Sequence, residues 1–124
     1  MKNEKYDKGM KIRRRILGDK HVDTAENSKT DFDRDFQDYI VNNAWGDVWS
    51  RPGLTSRERS LITIALMTAL GHDEELAMHL RATKNTGATR EDIKEVLIHT
   101  AVYAGLPAAN HAFKIAKEVL AETK

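Results

Sequence analysis

With five histidines and no cysteine, imidazole and carboxylate are the available proton carriers, and His72, Glu75 and His79 form the most telling group. In a helix over 74–86, a spacing of four sets Glu75 one turn before His79. His72 falls two turns before it, along nearly one face with Leu76 and Thr83. An imidazole with a carboxylate one turn away suits general acid–base work near neutral pH. From spacing alone, a core or rim histidine that serves packing is the alternative.

Arg51, Arg57, Arg59 and Arg81 fall around this helix and the start of the preceding one. Guanidinium forks are natural receptors for a substrate bearing carboxylates, and solvated surface arginine is their other fate. Metal-ligand spacings are missing: there is no HExxH or paired ExxH, and both Glu75–His79 and Glu95–His99 are separated by four. The lack of cysteine excludes disulfides and thiolate chemistry. No glycine-rich phosphate loop, nucleophile elbow or GxGxxG occurs. The expectation is a site that uses neither cofactor nor metal.

Helices must position these groups, because no strand-period alternation of useful length and no repeat appears in the 124 residues. Gly18, Gly46, Gly71, Gly87 and Gly105 read as helix terminators. A first helix over 4–17 carries Tyr6, Met10, Ile16 and Leu17 against a basic opposite face, and the polar stretch 21–29 reads as a loop. Thr30 offers an N-cap for a helix over 31–45, with Phe32, Phe36, Tyr39, Ile40 and Asn43 on one face. Residues 45–54 read as a break that sets Trp45 and Trp49 beside Asp47 and Arg51. Thr55 to Glu58 makes a capping box for a strongly apolar helix over 56–70. Asp73 caps the helix over 74–86, and Thr89 to Asp92 caps another with Ile93, Val96, Leu97, Thr100 and Ala101 inward. Pro107 suits the first turn of a last helix ending near Glu122. The prediction is an all-α bundle of about six helices in a single domain, 1–124, with 1–29 as N-terminal helix and loop and 30–124 as helical core.

Lys plus Arg (20) nearly cancels Asp plus Glu (19), so no summed field recruits nucleic acid or an anionic membrane. Lys11 and Arg13 to Arg15 spread around a helix as a solvated face. The longest apolar stretch, 61–70, is interrupted by Thr63 and Thr68 and is too short to span a bilayer. The N-terminus lacks a signal-peptide core. These features predict a cytoplasmic protein.

Beyond these patterns, whole motifs are legible. Tyr6-Asp7-x-Gly9-Met10, Leu17-Gly18-Asp19-x-His21-Val22-Asp23 and Ala44-Trp45-Gly46-Asp47-Val48-Trp49-x-Arg51-Pro52-Gly53-Leu54 occur in order. Arg59 to Ala65, His79-Leu80-Arg81-Ala82, Ile93 to Val96 and Tyr103-Ala104-Gly105-x-Pro107-Ala108-Ala109 follow. Over nearly its whole length the chain resembles the 4-carboxymuconolactone decarboxylase family of the alkylhydroperoxidase-like superfamily. Superfamily peroxidases use a Cys-x-x-Cys ahead of the helix histidine. Here those positions are His72 and Glu75, so that activity does not carry over, and Ser60 stands where many members have glutamate.

The resemblance implies cofactor-independent decarboxylation of 4-carboxymuconolactone to 3-oxoadipate enol-lactone, a step of protocatechuate catabolism in the β-ketoadipate pathway. Loss of carbon dioxide leaves an electron pair that spreads through the ring double bond into the lactone carbonyl, so the substrate is its own electron sink. His79 is then the expected general acid, with Glu75 tuning it. Arg51, Arg59 and Arg81 are candidates for the acetate arm, and Trp45, Trp49 and Tyr103 for the pocket wall. The family also implies a homo-oligomer, a hexamer built as a trimer of dimers. The competing readings are a non-catalytic helical oligomer or ligand-binding module, and a related lactone or hydroperoxide enzyme.

Overall fold

A computed structural model describes residues 3–122, and among them all regular structure is helical: eight α-helices and one π-helical segment. The helices divide into two compact units, Met1–Thr55 and Ser56–Lys124. Residues 30–55, assigned to the core from sequence, therefore cluster with the N-terminal helices, and the count exceeds the six predicted.

In the first unit α1 (Glu4–Leu17) starts at Asn3, whose side chain accepts the Tyr6 N–H, and stops at Gly18, whose φ of 91° few other residues adopt. Its buried face is Tyr6, Gly9, Arg13 and Ile16. The predicted loop 21–29 is instead largely α2 (Asp19–Asn27). Its sequence lacks an apolar period because it buries little beyond Val22 and is tied to its neighbours by charge. Arg14 meets Asp19 at 3.1 Å and Asp23 at 2.9 Å, and the buried Arg13 lies 3.6 Å from Glu26. Lys29 reaches Glu26 and, at 3.7 Å, Asp38.

The predicted helix over 31–45 starts later and runs further. α3 (Arg34–Ile40) continues directly as a π-helical segment, Val41–Trp49, so the chain does not break at Trp45. Gly46 is a contact point and not a terminator. A Cβ added to Gly9 would lie 2.2 Å from the Val41 carbonyl oxygen, and one added to Gly46 would lie 2.8 Å from that of Lys5. Two glycines thus let α1 and the π segment cross backbone to backbone. Such widened turns are rare and recur at functional sites. The aromatic residues of this stretch face solvent: Phe32 is 100% exposed, and Phe36 and Tyr39 are exposed.

In the second unit α4 (Ser56–Leu70) matches its predicted span, and α7 (Arg90–Ala104) starts directly after its predicted cap, Thr89. The capping box at Thr89 forms, with Asp92 N–H donating to Thr89 Oγ1 at 3.1 Å and Thr89 N–H donating to Asp92 Oδ2 at 2.9 Å. The helix predicted over 74–86 is two pieces, α5 (Asp73–Arg81) and α6 (Thr83–Thr86). The Thr83 hydroxyl donates to the Leu80 carbonyl at 2.6 Å at this interruption, a local bond that competes with helix continuation. Pro107 lies in the first turn of α8 (Leu106–Ala121). Gly71, Gly87 and Gly105 all take positive φ at helix ends. Ile64, Leu76, Leu80, Ile93, Leu97, Ala112, Ala116 and Val119 form the core.

Candidate active site

His79 sits on α5 between the core anchors Leu76 and Leu80, and it is buried, at 9% exposure. That helix is placed because its Leu76 and Leu80 pack with Ile64 of α4 and with the small residues Ala112 and Ala116 of α8. Glu75, one turn earlier, is exposed. The start of α5 is further held by an ion pair or hydrogen bond that sequence reading missed, His111 Nε2 to Asp73 Oδ2 at 2.8 Å. Thirty-eight residues separate the two, and no local signal links them.

The arginines divide sharply by partner. Arg81 makes a two-pronged pair with Glu122, Nε to Oε1 at 3.0 Å and Nη2 to Oε2 at 3.1 Å. Arg57 grips Asp92 the same way, at 2.8 and 2.6 Å, and this hydrogen bonding, with that from the Thr89 backbone, holds the Asp92 carboxyl well below the usual carboxylate range. Both forks are engaged by carboxylates of the chain itself. Arg59 is partly buried near the start of α4.

Tyr103 is 80% exposed at the end of α7, with its ring 5.2 Å from that of His99. His99 and Glu95, together with Leu61, Ile62 and Ala65 of α4, line an apolar groove of about 330 Å³. His99 is thus exposed where His79 is buried. Trp45, Trp49 and Arg51 belong to the first unit: Trp45 is buried, its ring 4.9 Å from Trp49, and Arg51 is exposed just past the π segment. Among the described residues no three His, Asp or Glu side chains gather in a way that would hold a metal ion.

A buried hydroxyl completes the inventory. Ser60 of α4 is 1% exposed, and its Oγ has no hydrogen-bond partner among the described residues. Leaving such a group unsatisfied costs about 1–3 kcal/mol.

Comparison with known proteins identifies the family. The chain is 49% identical over 116 residues to the 4-carboxymuconolactone decarboxylase of Acinetobacter baylyi, covering 94% of this chain and 87% of that one. It is 37% identical over 115 residues to the nitrosuccinic acid decarboxylase of Metarhizium robertsii, covering 93% and 80%. A 4-carboxymuconolactone decarboxylase of Pseudomonas putida is 46% identical over 44 residues, 36% of this chain and 92% of the relative. Residues 34–118 match the model of the carboxymuconolactone decarboxylase family, which also spans both units. With this share of its length matched, the chain belongs to the carboxymuconolactone decarboxylase family.

Proposed function

We propose that this protein is a carbon–carbon lyase that decarboxylates 4-carboxymuconolactone to 3-oxoadipate enol-lactone, a step of aromatic catabolism through the β-ketoadipate pathway. The observation that carries this reading is the 49% identity to a protein named for that reaction, extending over 94% of this chain. A second relative is named for decarboxylating nitrosuccinic acid, a substrate whose nitro group can likewise take up electrons. The shared chemistry is one in which the substrate supplies the sink and the protein supplies binding and a proton.

In this reading the bond between the ring carbon and its carboxylate breaks, carbon dioxide leaves, and the electron pair moves through the ring double bond onto the lactone carbonyl oxygen. The dienolate then collapses as a proton is delivered to the ring carbon beside that carbonyl. His79, buried on a helix fixed by core packing, is the proposed donor, and Glu75 one turn away assists it electrostatically. Arg51, Arg59 and Arg81 are the candidate anchors for the acetate arm, and of these Arg81 also holds Glu122. Gripping the departing carboxylate equally well would stabilise the ground state and slow its loss. Trp45, Trp49 and Tyr103 are the candidate pocket-wall residues, and residues 1–124 are proposed to act as one domain. The reaction as drawn uses no cofactor or metal.

The protein is further proposed to assemble as a homo-oligomer, a hexamer built as a trimer of dimers. In the second unit, Leu66, Ile98, Val102, Tyr103 and Leu106 are between 49% and 80% exposed, apolar area that a monomer would leave in water. Among the described residues no helix is long and apolar enough to cross a membrane. The direct test is spectrophotometric: purified protein is given 4-carboxymuconolactone, and enol-lactone formation is followed in the presence and absence of chelator. Absence of turnover would refute the assignment.

A further inference from the structure

We infer that Ser60 is a catalytic residue of this site, its hydroxyl donating a hydrogen bond to the lactone carbonyl oxygen as that oxygen gains negative charge. This rests on the decarboxylase reading above. Hydroxyls in helix interiors ordinarily satisfy themselves on the carbonyl one turn back. Three buried or half-buried threonines of this unit do so: Thr63 to Arg59 and Thr68 to Ile64, both at 2.8 Å, and Thr100 to Val96 at 2.7 Å. Ser60 precedes two of these on the same helix, is 1% exposed, and makes no such bond. A buried donor kept off its local acceptor lowers stability, and unsatisfied groups of this kind are expected where function requires them.

Its position agrees. α4 and α5 pack together and are joined only by Gly71 and His72, so they run antiparallel. Ser60 stands as far before that turn as Thr83 stands after it, which sets it level with the junction of α5 and α6. His79 is one helical turn nearer the middle, an axial offset of about 6 Å. α6 indeed packs on α4. At this level the hydroxyls of Thr83 and Thr86 are taken up by the carbonyls of Leu80 and Thr83, leaving Ser60 as a donor for a bound molecule. A small lactone spanning that offset would have the proton donor at its ring carbon and the hydroxyl at its carbonyl. A neutral donor suits an oxygen that is uncharged in the substrate and anionic in the dienolate, since the bond strengthens as charge develops.

The test is steady-state decarboxylation kinetics and thermal melting of wild-type protein, Ser60→Ala and Ser60→Thr. The expected result is that Ser60→Ala lowers kcat by on the order of 10-fold to 10³-fold with KM within about twofold. Its melting temperature stays equal or rises, because an unsatisfied buried hydroxyl has been removed, and Ser60→Thr recovers part of the rate. A hydroxyl with a purely structural role would give the opposite pattern, a lower melting temperature with kcat retained, and that result overturns the inference. So does normal turnover by Ser60→Ala with wild-type stability. An inactive wild-type protein overturns the decarboxylase reading and this inference with it, whereas an active wild-type with an equally active Ser60→Ala overturns this inference alone.

Discussion

At the scale of single residues, the contrast between His79 and His99 is the sharpest consequence of the fold. Both have a glutamate four positions earlier, so spacing treats them alike, yet His79 is buried beside the core and His99 is exposed in an apolar groove. If His79 delivers the proton in a rate-limiting step, His79→Gln lowers kcat by on the order of 10²-fold to 10⁴-fold while helicity and assembly persist. Steady-state kinetics with circular dichroism on each variant checks this, and near-normal turnover by His79→Gln would transfer the role to His99. Arginines separate in the same experiment. Arg59→Met is expected to raise KM more than it lowers kcat, because an anchor on the acetate arm binds substrate and transition state alike. Arg81→Met, which loses an exposed pair with Glu122, should raise KM less and change stability by no more than about 1 kcal/mol.

At the scale of elements, two junctions decide how helices are held. Asp92 serves both as the second member of the α7 capping box and as the receptor for Arg57 of α4, so it ties the starts of the two helices together. Because its native pKa lies below that of an unfolded aspartate, it adds stability above about pH 4, the unfolded value, and this contribution fades as the pH falls toward the native value. Urea melts of wild type and Asp92→Asn should therefore differ clearly at pH 7 and converge progressively in acid; a difference that grows on acidification would contradict the assignment. In the first unit, Gly9→Ala would drive a methyl group into the Val41 carbonyl and the Gly46 backbone. Neither obstacle is a flexible side-chain end, so the helix crossing must open. A loss of at least about 1–3 kcal/mol is expected from chemical denaturation, against a few tenths for an alanine that fits.

At the scale of the whole molecule, the apolar residues left in water on α4, α7 and the start of α8 are the feature that a lone chain does not explain. Val102→Glu puts a charge at one of the most exposed of them, 76% accessible, and should leave the single-chain core intact. Sedimentation is expected to show a mass well above 14.1 kDa for the wild type and a fall toward that value for the variant. A wild type that sediments at the chain mass at micromolar concentration would remove the oligomer from the proposal.

What the sequence determined unaided was whatever local chemistry fixes. The glycines at 18, 71, 87 and 105 end helices because left-handed or extended positive-φ backbone strains residues with a Cβ, and the capping box at Thr89 and Pro107 in the first turn of α8 are equally local. The order of motifs also sufficed to identify the family. Tertiary structure decided everything that depends on partners far along the chain. A polar stretch at 19–27 became α2 because charges on α1 receive it, and Gly46 became a crossing point instead of a stop because Lys5 lies against it. Four arginines that look interchangeable in sequence became unlike, two being claimed by Asp92 and Glu122, thirty-five and forty-one residues away. The burial of Ser60 and the absence of its local hydrogen bond were likewise invisible, since helical spacing marks which face a residue occupies but not whether that face finds water or a partner.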